Sequence, residues 1–174
     1  MNPMPRAAKL ALATLLLLPL AALAKTSDRD QPMTVAAASQ SGSMLDDNGT
    51  IHYAGNVVIL QGSLEVHADA ADLYRKNGDI ERIVLTGKQA TLKQQMDDGT
   101  WMNGRADTIE YQAKADTIVL TGNYKVDSPK GSNAGQRMVY NTKTGNMESG
   151  GDGTRVHTVI QPKNKTAAPA PQGR

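Results

Sequence analysis

The chain has no cysteine, no phenylalanine and a single tryptophan, Trp101. Without cysteine there is no disulfide, so burial of apolar surface must stabilise the fold. A zinc site would need scattered ligands, because the three histidines, His52, His67 and His157, fall in no HxH or HExxH pattern. They read as residues on strand faces. Without phenylalanine, the core must be filled by Val, Ile, Leu, Met and Tyr, and the β-branched members of that set suit strands. Methionine adapts to irregular apolar surfaces, those that meet a ligand included.

Catalytic motifs are missing too. There is no GxSxG, no phosphate-cradling glycine loop and no GxGxxG. Asp69 and Asp72 are three apart, as are Asp107 and Glu110. In a regular strand such pairs face opposite sides, so neither makes an acid/base dyad without a bulge. Asp46-Asp47 and Asp97-Asp98 read as turn chemistry. The expectation is a protein without enzymatic activity or cofactor.

The first residues read as a leader. Arg6 and Lys9 precede an apolar run from Leu10 to Ala24, broken by Pro19 and ending Ala22-Leu23-Ala24. That is a signal peptide over residues 1–24 with cleavage after Ala24, and it implies export into an oxidising compartment. A spanning helix needs about 20 apolar residues, and this run is shorter. No cysteine follows Ala24 to carry a lipid anchor. The full chain has 19 basic and 17 acidic residues, and loss of Arg6 and Lys9 leaves 17 of each. The mature chain is formally neutral, and nucleic-acid binding loses its support.

What remains is a single domain of alternating segments. Residues 25–31 form a loose N-terminal segment, 32–161 a folded domain, and 162–174 a polar Pro/Ala/Lys-rich tail expected to be disordered. Expected strands run over Met33 to Ala38, Thr50 to Leu60, Ser63 to Tyr74 and Ile80 to Leu85. Others follow over Ala90 to Gln94, Trp101 to Tyr111, Asp116 to Asp127, Gln136 to Tyr140 and Arg155 to Ile160. Ser39 to Ser43 reads as a turn region. Asp46-Asp47-Asn48-Gly49 reads as a hairpin-type turn, and Gly104 as a bulge or a close backbone approach. No amphipathic helix stands out, so the class is all-β.

A short phrase recurs. Ala54-Gly55-Asn56 is followed by Thr86-Gly87-Lys88 and by Thr121-Gly122-Asn123. A second landmark follows each one: Ala68-Asp69, Ala106-Asp107 and Gly135-Gln136. Each unit reads as two strands and a bend, with glycine where the strand kinks. One unit cannot bury its apolar face alone, whereas several stacked units make a continuous interior. Whether Val57 or Val58 points inward depends on the geometry at Gly55. A stack also leaves edges at both ends, where another chain of the same fold can add.

In order and spacing these phrases resemble the OstA-like family of periplasmic lipopolysaccharide-transport proteins. The residues that carry the resemblance are Asp30-Gln31-Pro32, Tyr53-Ala54-Gly55-Asn56-Val57, Leu60-Gln61-Gly62 and Ala68-Asp69. Gly104-Arg105-Ala106, Val119-Leu120-Thr121-Gly122-Asn123 and Arg155-Val156-His157-Thr158-Val159-Ile160 complete it. The match covers about residues 28–162. It implies an open, twisted β-jellyroll of stacked V-shaped strand pairs with an apolar lumen. It implies binding of the lipid A part of lipopolysaccharide, and transfer from the inner to the outer membrane by a soluble carrier or bridge.

The partners implied are the inner-membrane LptC periplasmic domain, the outer-membrane LptD N-terminal domain, and further copies of the chain added head to tail. An LptC-like protein keeps its N-terminal helix as an anchor and an LptD-like one continues into a barrel, which leaves the soluble bridge. The lumen positions carried over are Met33, Val35, Ile51, Tyr53, Val57, Ile59, Leu64 and Val66, then Leu92, Ile109, Tyr111, Ile118, Leu120, Tyr124, Met138 and Tyr140. The chain departs from the family pattern in its lack of phenylalanine and its longer Ser39–Ser43 connection. Two other readings stand beside this one. A structural β-solenoid filament module would polymerise without lipid cargo. A polysaccharide-acting enzyme would need carboxylates clustered on one strand face.

Overall fold

The computed structural model describes Asp28, residues 30–151 and residues 153–162. The expected leader, most of the segment before Pro32 and the tail from Lys163 lie outside the described residues. The strands are β1 (Thr34–Ala36), β2 (Ser39–Ser41), β3 (Gly49–Gln61), β4 (Leu64–Lys76) and β5 (Asp79–Gln95). They continue with β6 (Trp101–Gln112), β7 (Thr117–Ser128), β8 (Gly131–Asn141), β9 (Met147–Ser149) and β10 (His157–Ile160). A 3-10 turn at Ala113–Ala115 stands between β6 and β7.

All ten strands form one sheet, antiparallel throughout, with β3 to β8 each paired to its sequence neighbour. Tight turns make this order. Asn77 and Gly78 both have positive φ, +54° and +84°, as a two-residue hairpin turn requires. A lone sheet with no covering layer buries a face only by folding over on itself, and the strands show where it folds. Ala54 pairs with Ala70 and Val57 with Ala68, so Gly55 and Asn56 face Asp69 alone. In β5, Gly87, Lys88 and Gln89 face Asp107 alone, between the pairs Thr86–Thr108 and Ala90–Ala106. In β7, Gly122 and Asn123 face Gln136 alone. The recurring phrase and its second landmark are therefore the two sides of one corner line.

The corner has a definite chemistry. Gly55, Asn56, Gly122 and Asn123 all lie in the left-handed region, which glycine and asparagine reach most readily. Two such residues in succession turn β3 and β7 without changing which side chains point in. Tyr53 and Val57, like Leu120 and Tyr124, are buried on either side of the bend. Val57 is the inward valine, 1% exposed. On β4 and β6 the inward set changes phase at the landmark residue. Leu64, Val66 and Ala68 give way to Ala71 and Leu73, and Gly104 and Ala106 give way to Ile109 and Tyr111.

Side chains fasten the line. Asp69 Oδ2 accepts from Lys88 N at 3.0 Å, and Asp107 Oδ2 accepts from Asn123 Nδ2 at 3.0 Å. Gln136 Oε1 accepts from Asn123 N at 3.3 Å. The bend leaves two walls on each strand. The first wall holds 49–54, 70–76, 79–86, 108–112, 117–121 and 137–141. The second holds 57–61, 64–68, 90–95, 101–106, 124–128 and 131–135.

The ends of the stack repeat the bend in short pieces. β2 pairs with the first wall of β3 and β1 with the second, and Ala38 N donates to Gly55 O at the corner between them. β9 and β10 do the same for β8, with Gly150 N donating to Arg137 O. Ser39–Ser41 is thus a strand and not a turn, because the exposed edge of β3 offers its backbone groups to the chain that follows the corner. The residues from Gly42 to Asn48 are an excursion from that edge, the long loop of the β2/β3 hairpin, in which Asn48 N donates to Asp46 Oδ1 at 2.9 Å. Ile80–Leu85 and Ala90–Gln94 are two walls of one strand. Gly104 sits in unbroken register between Leu92 and Val126. It is a close approach and not a bulge, since a Cβ there would lie 3.0 Å from Leu92 Cγ.

Candidate functional site

The register lines the inward residues up in rows that run through the stack. On the first wall one row is Tyr53, Ala71, Leu85, Ile109, Leu120 and Met138, each opposite the next. A second row nearer the mouth is Ile51, Leu73, Ile83, Tyr111, Ile118 and Tyr140. On the second wall Val35, Ile59, Val66, Leu92, Gly104 and Val126 form a row. The stack has eight rungs, and seven spacings of ~4.8 Å make it about 34 Å long.

The sixteen lumen positions read from the sequence share this interior. Ile51, Tyr53, Val57, Ile59, Val66, Leu92, Ile109, Leu120, Tyr124, Met138 and Tyr140 are buried in one cluster. Met33, Val35, Leu64, Tyr111 and Ile118 are partly exposed and pack against it. The reading missed Leu73, Ile83, Leu85 and Val126, together with the small residues Ala71, Ala90 and Ala106 that let the walls approach. Ile83-Val84-Leu85 is uniformly apolar and carries no alternation. Leu73 lies beyond the phase change at Asp69, which an uninterrupted alternation does not reveal.

The trough is not uniform along its length. Midway, a cavity of about 110 Å³ lies between the walls, touched by Ile83, Leu85 and Ile109 on one side and by Ile59, Val66 and Leu92 on the other. Asp28, Gln61, Gln94, Thr142 and Lys143 give it a polar, partly charged rim. Toward β1 and β2 it widens into a chamber of about 500 Å³. At the β8 end the interior turns polar. Tyr124 Oη donates to Asn133 Oδ1 at 2.5 Å, Asn133 Nδ2 donates to Thr158 Oγ1 at 2.9 Å, and Ser149 Oγ donates to Asn133 Oδ1 at 3.1 Å. Ser149 belongs to the first-wall edge and the other three to the second, so this network ties the walls together there.

The outer faces carry the charge. His52 Nδ1 lies 2.7 Å from Asp72 Oδ1, and His67 Nε2 lies 2.7 Å from Glu65 Oε1, both pairs exposed. The corner bulges place Asp72 and Asp69 on the same outer side, as they do Glu110 and Asp107. The members still have separate partners: His52 for Asp72, Lys88 N for Asp69, Arg82 for Glu110 and Asn123 for Asp107. Neither pair forms a dyad. Among the described residues no helix is long and apolar enough to cross a membrane.

Comparison with known proteins fits this geometry. The family model described as LptA/(LptD N-terminal domain) LPS transport protein matches residues 35–146. The lipopolysaccharide export system protein LptA of Escherichia coli K12 is 33% identical, over 91% of this chain and 89% of that protein. The lipopolysaccharide export system protein LptH of Pseudomonas aeruginosa is 33% identical over 83% of this chain and 87% of its own length. A crystal structure of LptH, the LptA-homologous periplasmic component of the lipopolysaccharide transport device of Pseudomonas aeruginosa, superposes with a TM-score of 0.70 at 29% identity. The superposition covers 78% of this chain and 99% of that one. On the match to the family model and on identity to these relatives over most of its length, the chain belongs to the family of LptA and the LptD N-terminal domain, the LPS transport proteins.

Proposed function

We propose that this chain is a periplasmic carrier that shelters the lipid A acyl chains of lipopolysaccharide in its trough and passes them from the inner toward the outer membrane. The observation that carries the reading is the in-register apolar interior, which runs from the β1/β2 edge through β7. Each exposed CH₂ costs about 0.8 kcal/mol in water, so a chain of about 12 carbons costs on the order of 10 kcal/mol. A lipid with several such chains needs cover along its whole path. A row of Ile, Val, Leu, Met and Tyr with few deep pockets lets chains slide rather than lodge.

The short strands at both ends favour assembly in the same direction. β1, β2, β9 and β10 offer backbone groups along one side each, and Met147, Val159 and Ile160 are exposed at the β9/β10 edge. Like-folded domains of an LptC-type partner at one end and an LptD-type partner at the other would extend the sheet by strand addition, as would further copies of the chain. Such pairing joins trough to trough.

Site-specific photo-crosslinking tests the reading. A photoreactive residue at Tyr53, Tyr111 or Leu120 is expected to capture lipopolysaccharide, and one at the outward Glu65 is not. Equal capture from both faces would remove the trough from the account.

A further inference from the structure

The wide chamber at the β1/β2 end holds one charged side chain, Arg75, in a lining whose other polar side chains are Gln40 and the Tyr53 hydroxyl. Arg75 follows Leu73 on the inward side of β4, with its side chain 19% exposed. Around it stand Met33, Val35, Ile51, Tyr53, Leu73 and Ile80. Carbonyl oxygens hold the guanidinium. Nη1 donates to Met44 O and to Asp46 O, each at 2.9 Å, and Nη2 donates to Gly78 O at 3.1 Å. The nearest carboxylate is Asp47, 4.0 Å from Nη2 and 74% exposed at the rim.

Tyr53 lines the same wall from the neighbouring strand β3. Its hydroxyl donates to Met44 Sδ at 4.0 Å, and a thioether is a weak acceptor. Met44 therefore meets two polar groups of the chamber, the guanidinium through its carbonyl and the hydroxyl through its sulfur. It does so from an excursion that is itself exposed, with Met44 at 59% and Leu45 at 94%. An apolar chain with an oxygen acceptor at one end is the outline of an amphiphile. Met44 fills that outline with neutral acceptors, although the cation it satisfies pairs better with an anion. Hydrogen bonds between Arg and a carboxylate or phosphate are roughly twice as strong as those between neutral groups.

From this we infer that the chamber is an anion-binding end to the trough. It takes the acidic head group, phosphate or carboxylate, of an amphiphile whose chain lies along Ile51, Leu73 and Ile83. Arg75 is the anion ligand, Tyr53 Oη is a second donor, and Met44 is the group displaced. The chamber's volume, about 500 Å³, falls within the 300–1,000 Å³ typical of small-ligand sites. This deepens the proposed function, since it rests on the trough's taking acyl chains and adds a preference for charge at one end.

The test is a calorimetric titration of the chain with dodecyl phosphate, with dodecanol and with inorganic phosphate. Dodecyl phosphate is expected to bind on the order of tenfold more tightly than dodecanol, with no heat from inorganic phosphate alone. Arg75→Met is expected to bring the two amphiphiles level. Gly78 N still donates to Asp47 O, and Asn77 N to Asn48 Oδ1, so the excursion stays attached in that variant. Tyr53→Phe leaves the arginine in place and is expected to narrow the ratio in part.

Equal binding of dodecanol and dodecyl phosphate to the unaltered chain overturns the anion site and leaves the apolar trough standing. A ratio that survives Arg75→Met overturns the assignment to Arg75. No binding of either amphiphile overturns both the inference and the trough on which it rests. Binding of inorganic phosphate as tight as that of dodecyl phosphate contradicts a site for the head group of a lipid.

Discussion

At the level of single residues, the fold depends on what the corner will accept. Gly122 has φ +79°, and a Cβ there would lie 2.4 Å from Asp107 Oδ2 and 2.8 Å from its Cβ. Gly99 has nearly the same φ, +78°, with nothing within 4 Å. Alanine at Gly99 meets only the left-handed backbone penalty, about 1–2 kcal/mol. Alanine at Gly122 must also push Asp107 from its bond with Asn123, so chemical denaturation is expected to show it about 1–3 kcal/mol worse than the Gly99 variant. Gly122 was legible in the sequence because its phrase recurs. Arg75 was not, because an arginine near a turn reads as surface until the phase change at Asp69 is known. Asp98 adds a residue-level prediction about pH. Lys130 Nζ donates to its Oδ2 at 2.7 Å, and Thr100 Oγ1 and N donate to Oδ1. Together they hold the Asp98 carboxyl well below the usual carboxylate range. A carboxyl depressed in this way stabilises the fold above its unfolded-state pKa, about 4, and the contribution is lost as pH falls through the depressed value. Lys130→Met is expected to bring the Asp98 titration, followed by NMR, back up toward the ordinary value and to make the acid limb of the stability curve shallower. An unmoved titration would show that Lys130 does not set it.

Elements explain why alternation revealed one wall better than the other. On β4 the run Leu64, Val66, Ala68 was plain, and it is the second wall. The first-wall half of that strand follows the other parity, as does that of β6. A single alternation carried through either strand assigns half of it to the wrong side. β3 and β7 keep their parity through two left-handed residues, which is why Tyr53, Val57, Leu120 and Tyr124 were placed correctly. β2 and β9 were not foreseen as strands. Both are three residues long and wholly exposed, and pairing with a neighbouring edge makes them strands, not any apolar pattern of their own. The walls also set a mechanical requirement. Leu120 and Val57 are almost wholly buried, so in the proposed carrier acyl chains would reach them only when the walls part. Leu64 and Tyr111 line the central cavity from opposite walls. Cysteines placed at both and joined by a short bis-maleimide are expected to abolish lipopolysaccharide loading, while each single cysteine loads normally. Full loading of the tethered protein would mean that the walls need not move.

Across the whole molecule, one antiparallel sheet is the scaffold and, in the function proposed above, the conduit as well. The sequence showed the class and the repeat, since turn signals separate alternating runs and three copies of one phrase mark the line of the bend. It did not show that the interior is wide at the β1/β2 end and pinned by Asn133 at the other. Those features come from contacts between residues well separated in the chain, such as Arg75 with Met44 in the excursion and Ser149 with Asn133 across the walls. The asymmetry gives the trough two unlike ends, which would give the proposed carrier a direction. The most direct test of the trough is NMR contact mapping. The chain is deuterated except at its Ile, Leu and Val methyls and loaded with lipopolysaccharide bearing protonated acyl chains. Intermolecular NOEs are expected at Ile83, Leu92, Ile109 and Ile118, and none at Val84, Val119 and Val139 on the outer face of the first wall. NOEs confined to the outer valines, or equal on the two faces, would contradict a lipid-carrying interior.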